Sequence, residues 1–122
     1  MNVIAIAGGG AIGALLRHGV NMLAVGWAFP WGTLFVNVSG SLVMGVLIGA
    51  FALFWDAPQA VRAFLTVGLL GAFTTFSTFS MDSVLMLQKG QIVEAVSYIL
   101  ASVLLSIGGM ALGLLLVRMI PA

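Results

Sequence analysis

Four long apolar stretches, divided by short polar turns, occupy nearly the whole of this chain. A helix needs about 20 apolar residues to cross a hydrocarbon core of roughly 30 Å, and each stretch meets that length. They run from about Asn2 to Val25, Gly32 to Phe54, Val61 to Leu87 and Ile92 to Met119. With 62% hydrophobic and only 6% charged residues, the lipid bilayer rather than water is the expected solvent. The expected fold is therefore an all-α membrane protein, a single four-helix transmembrane domain over residues 1–122. Trp27, Phe29, Pro30 and Trp31 cluster between the first two stretches as an interfacial aromatic belt would. The first stretch lacks a basic leader region and a convincing cleavage site, so it reads as retained.

Arg17, Arg62, Lys89 and Arg118 stand against Asp56, Asp82 and Glu94, a net charge of +1 too sparse and scattered for a nucleic-acid surface. The absence of cysteine excludes disulfides, thiolate metal sites and cysteine nucleophiles. A lone histidine, His18, cannot build a zinc site. Four crossings put the N-terminus, the loop after the second stretch and the C-terminus on one side, which leaves two basic residues nearer each face. Orientation normally follows an excess of Lys and Arg in the cytoplasmic loops; without one, insertion in both orientations is expected, unless so few charges simply carry no signal.

Asn37, Ser41, Gly45 and Gly49 recur every four positions, as do Gly9 and Gly13, then Gly109 and Gly113. That spacing lines up small residues on one helix face, where backbones approach closely in a membrane.

The most unusual stretch is Gly71-Ala72-Phe73-Thr74-Thr75-Phe76-Ser77-Thr78-Phe79-Ser80, in the middle of the third span, with five hydroxyl residues in seven positions. Ser and Thr satisfy backbone groups locally, so the third helix is expected to break at mid-membrane. Such a break bares carbonyls suited to a cation at the end of one half-helix and amides suited to an anion at the start of the next. Phe76 and Phe79 would share a face, and ring edges together with hydroxyl donors hold an anion weakly without a buried cation. A plain Phe/Thr packing surface is the competing reading. Asn37 adds an amide donor, and Tyr98, Ser102 and Ser106 form a hydroxyl stripe on the fourth span. Three donor-rich, charge-poor stripes suit passage of a small anion. Arg17 is either a vestibule charge or a snorkelling one; Asp82 would cap, pair with an arginine or face a wet cavity, a structural role being expected over transport.

Gly9-x-x-x-Gly13-Ala14-x-x-Arg17, Gly32-Thr33-x-x-Val36-Asn37-x-x-Gly40-Ser41 and Thr74-Thr75-Phe76-Ser77-Thr78-Phe79-Ser80, extended by Tyr98-x-x-x-Ser102, together resemble Fluc (CrcB-like) fluoride channels over essentially the whole chain. The resemblance implies an antiparallel, dual-topology homodimer in the bacterial inner membrane, with two fluoride pores and a structural sodium ion between the crossed breaks. It implies passive fluoride efflux that relieves fluoride toxicity. By position, Gly71 and Thr74 would offer carbonyls to sodium, Phe76 and Phe79 would form an aromatic fluoride box, and Asn37 would donate to fluoride. Ser77, Thr78, Tyr98 and Ser102 would line the polar track, with Arg17 near a vestibule.

Two departures stand out, Ala72 where the family often has a second Gly and Asp82 where it often has Glu. A small multidrug exporter would share the size and dual topology, but needs a carboxylate in the first span, which here has none. A non-transporting assembly subunit would use the glycine ridges without needing mid-depth hydroxyls. Nothing in the sequence supports an enzyme.

Overall fold

A computed structural model describes residues 2–121, and its regular structure among them is entirely helical. Helix α1 runs Val3–Leu23 and α2 Trp31–Leu53. The third span comprises α3 (Gln59–Arg62), a π-helical segment (Ala63–Leu70), α4 (Gly71–Phe73) and α5 (Phe76–Gln88). Helix α6, Ile92–Arg118, closes the fold. Gln59–Gln88 together with α1, α2 and α6 make four helical spans long and apolar enough to cross a membrane. The protein is a multi-pass membrane protein.

The third span begins at Gln59, two residues ahead of the sequence expectation, because Pro58 supplies a rigid start: its carbonyl accepts from the Arg62 amide at 3.1 Å. It ends on a glycine. Gly90, at φ +77°, adopts a backbone that a side chain resists, which lets Gln91 N–H reach Met86 O at 2.9 Å and Gly90 N–H reach Leu87 O at 3.1 Å. The chain thereby reverses into α6 within three residues.

Two helix pairs dominate the packing. In the first, α1 lies on the π-helical segment, where wide i→i+5 turns are a rare geometry beyond one turn. A Cβ on Gly13 would run into Leu69 O, so the glycine is what allows the two backbones to touch. In the second pair, α2 and α6 run parallel: Gly45 sits between Met110 O and Leu114 N, and Gly49 sits against Val117 further along both helices. The expected glycine ridges are therefore the contact faces. A cluster of Leu34, Phe79, Met86, Ala95 and Tyr98 ties α5 to this second pair, and Phe29 closes over it with its ring perpendicular to Tyr98 at 5.5 Å.

Between α4 and α5 the backbone leaves the helical region. Thr74 (ψ 158°) and Thr75 (φ −152°, ψ 123°) are extended, and helix resumes at Phe76.

Candidate ion-conducting site

The extended pair is held from three directions. Thr74 folds back on the helix it leaves, its amide and its hydroxyl both donating to Leu70 O, at 3.1 and 2.9 Å. Thr75 caps the helix it enters, its Oγ1 accepting from the Thr78 amide at 3.2 Å. Asn37, reaching across from α2, grips the Thr75 backbone twice: Oδ1 accepts from Thr75 N–H at 2.7 Å, and Nδ2 donates to Thr75 O at 3.0 Å. Gly40, one turn below Asn37, leaves just enough room for the Thr74 methyl group.

Two electrostatic consequences follow. In a continuous helix the Thr75 amide would bond to Gly71 O; here Asn37 takes it, so the Gly71 carbonyl, in the last turn before the interruption, is released. Gly71 is exposed and Thr74 half-buried, and their neutral backbone oxygens are hard donors of the kind that suit an alkali cation. Among the described residues there is no cluster of three or more His, Cys, Asp or Glu. On the other side, the first amides of α5 and its helix dipole present positive potential towards the interruption.

Beside this interruption lies a cavity of about 310 Å³. Its walls are Asn37 and Ser41 from α2, Thr74 and Thr75, Phe76 and Phe79 from α5, and Ser102, Val103, Ser106 and Ile107 from α6. No charged side chain lines it. Among the described residues the ion pair formed is Arg62 with Asp56, 3.7 Å apart in the connection after α2, where Arg62 also donates to Ala57 O and lies over Phe51. A larger cleft of about 870 Å³ near the α1–α2 turn is aliphatic and aromatic, without a hydroxyl, amide or charged side chain to meet an ion.

The two phenylalanines differ sharply. Their ring centroids are 5.4 Å apart, yet Phe79 is 8% exposed and packed on Tyr98, whereas Phe76 is 77% exposed. Ser102 and Ser106 reach the cavity with hydroxyl oxygens that are buried and have no hydrogen-bond partner.

The other residues singled out from sequence stand elsewhere. Tyr98 is fully buried and off the cavity wall, its hydroxyl donating to Asp82 Oδ2 at 3.0 Å. Asp82 thus has the structural partner expected of it, although that partner is a phenol rather than an arginine. Ser77 Oγ lies 3.3 Å from Thr75 Oγ1, and Thr78 contributes its backbone amide to the cap; neither side chain lines the cavity. Arg17 is half-buried on α1 and also off the wall, with its Nε buried and unpartnered. Sequence reasoning missed Thr75 as a site residue. A hydroxyl residue three positions before Thr78, at a helix start, was the available signal.

Comparison with known proteins bears on the whole chain. Residues 4–114 match the family described as CrcB-like protein, Camphor Resistance (CrcB). Fluoride-specific ion channel FluC 1 of Nitrobacter hamburgensis is 46% identical over 121 residues, covering 97% of this chain and 96% of its own. Fluoride-specific ion channel FluC of Nitrobacter winogradskyi is 46% identical with the same coverage, and that of Rhodospirillum centenum 49% identical over 119 residues, covering 95% and 94%. Matches of this extent, spanning the glycine ridges, the extended pair and the hydroxyl-lined cavity alike, place the chain in the CrcB family.

Proposed function

We propose that this chain is a fluoride channel, not an enzyme, which lets accumulated fluoride leave the cell down its electrochemical gradient. The observation that carries the reading is the cavity beside Thr74–Thr75: hydroxyls, an amide and phenyl rings, with no formal charge on the wall. A fully charged site would hold a small halide too tightly to release it, whereas neutral donors in series bind weakly enough for rapid transit. Phe76 and Phe79 would supply ring edges, Asn37 its remaining amide proton, and Ser102 its unpaired hydroxyl. Ser77, Thr78 and Tyr98 would extend the track, and Arg17 would raise the anion concentration at its mouth.

The functional unit we infer is an antiparallel homodimer in the bacterial inner membrane, with two pores. The 77% exposure of Phe76 and the exposure of Gly71 support a second copy packing over this face. The absence of a Lys/Arg bias between the two membrane faces supports insertion in both orientations. The released Gly71 carbonyl and that of Thr74 fit a sodium ion shared between the two interruptions, where it would neutralise the helix C-terminal ends and hold the subunits together.

The test is fluoride efflux from liposomes containing purified protein, followed with a fluoride electrode. Rapid fluoride release with chloride retained is expected. Equal chloride and fluoride rates would sink the reading.

A further inference from the structure

The aromatic residues between α1 and α2 do not act as one belt. Trp27 and Trp31 keep 59% and 51% of their surface exposed, as interfacial anchors do, whereas Phe29 is half-buried and packs inward on the core that ties α5 to α6. The backbone enforces that direction. Gly26, at φ +88°, turns the chain, with Trp27 N–H donating to Ala24 O at 3.2 Å. Pro30, at φ −78° and ψ 65°, then makes an inverse γ-turn, closed by Trp31 N–H donating to Phe29 O at 2.8 Å. A methyl group on Gly32 would run into Asn21 Oδ1, so the first turn of α2 lies hard against α1 and holds the two ends of the connection together.

From Phe29 a continuous run of rings reaches the cavity. Phe29 stands perpendicular to Tyr98 with centroids 5.5 Å apart, Tyr98 meets Phe79 at 5.2 Å, and Phe79 meets Phe76 at 5.4 Å. At these separations the ring quadrupoles favour particular tilts over others. Tyr98 is fully buried, and its hydroxyl is held by Asp82 Oδ2 at 3.0 Å. A ring pinned at its hydroxyl keeps one freedom, rotation about its own long axis, and the perpendicular Phe29 ring opposes it. The plane of Tyr98 in turn sets the tilt of Phe79, which lines the cavity.

We propose that Phe29 is a positioning residue for the conduction path: acting through Tyr98, it fixes the tilt of the Phe79 ring and so the part of that ring offered to a passing anion. The inference rests on the channel reading above and extends the functional residues beyond the cavity wall to the connection between α1 and α2. An anion is attracted by a ring's edge and repelled by its face, so a change of tilt weakens binding without removing any group from the wall.

Fluoride efflux from liposomes, measured over a range of internal fluoride concentrations, tests this. Phe29→Leu keeps the apolar bulk but loses the ring, and is expected to raise the fluoride concentration giving half-maximal rate by about fivefold, the scale of one lost aromatic contact. Phe29→Tyr retains the ring and is expected to behave as wild type. Trp27→Leu, in the same connection but outside the run of rings, is expected to do the same. Action through Phe79 has its own signature: in Phe79→Leu protein, Phe29→Leu adds no further change. A wild-type fluoride dependence in Phe29→Leu, or an equal further change in the Phe79→Leu background, would overturn the positioning role and leave the channel reading standing. Should Phe29→Leu fail to fold, Phe29→Met also replaces the ring by apolar bulk and is read in the same way. Wild-type protein that passes no fluoride would overturn the channel reading, and the positioning role with it.

Discussion

Asn37 holds Thr75 by both ends of its backbone, accepting the amide at 2.7 Å and donating to the carbonyl at 3.0 Å, across 38 residues of chain. Each bond satisfies a backbone group that an unbroken helix would have satisfied by itself. The side chain therefore keeps the interruption open at the same time as it faces the cavity. Asn37→Ala is expected to lower stability by about 2 kcal/mol, two part-buried hydrogen bonds at roughly 1 kcal/mol each, besides slowing fluoride efflux. Asn37→Asp retains an acceptor for the Thr75 amide but loses the donor to Thr75 O and adds a negative charge at the cavity. It should unfold at a temperature between those of wild type and Asn37→Ala, yet conduct no better than Asn37→Ala. Thermal unfolding in detergent, paired with efflux, checks both orders.

Phe76 and Phe79 separate transport from stability. Phe79 is buried against Tyr98, so Phe79→Ala empties part of the core that ties α5 to α6 and is expected to cost about 3–5 kcal/mol. Phe76 is 77% exposed. Phe76→Ile should leave the unfolding temperature nearly unchanged while slowing fluoride release sharply. Equal losses of stability in the two variants would mean that Phe76 is a core residue.

The parts of the molecule set by period and composition were legible from sequence. Apolar length marked the four spans, and spacing of four marked Gly9 with Gly13, Gly45 with Gly49 and Gly109 with Gly113 as close-approach faces. What escaped depends on which helix a side chain meets. That Asn37 also grips the Thr75 backbone could not be read, because nothing local reveals that Thr75, far along the chain, needs partners for both its N–H and its carbonyl. Tyr98 read as part of a hydroxyl stripe with Ser102 and Ser106. Its bulk instead drives it into the Phe29–Phe79 cluster, where a buried phenol must find an acceptor and takes Asp82. The π-helical turns of Ala63–Leu70 left no trace in the apolar pattern, since every residue there is compatible with an ordinary helix.

The Tyr98–Asp82 bond leads to a sign that simple deletion would not suggest. Asp82→Ala leaves the fully buried Tyr98 hydroxyl without its acceptor, at an expected cost of about 1–3 kcal/mol. Combining Asp82→Ala with Tyr98→Phe removes donor and acceptor together, so the double variant should unfold at a higher temperature than Asp82→Ala alone. A double variant less stable than either single one would show that the two side chains act independently.

Gly13 and Gly19 lie on the same helix in opposite circumstances. A methyl group at Gly13 would collide with Leu69 O and approach Phe73 N to 3.1 Å, whereas one at Gly19 would meet nothing within 4 Å. The obstacles at Gly13 are backbone atoms just before the extended pair, and they cannot swing aside as a side chain tip would. Gly13→Ala must push α1 off the third span, shifting the end of α4 and with it the Gly71 and Thr74 carbonyls. It is expected to reduce both the unfolding temperature and fluoride efflux. Gly19→Ala trades a flexible residue for a good helix former and should be neutral or stabilising by up to about 1 kcal/mol, with efflux unchanged. If both substitutions behaved alike, close backbone contact with α1 would not be what positions the interruption.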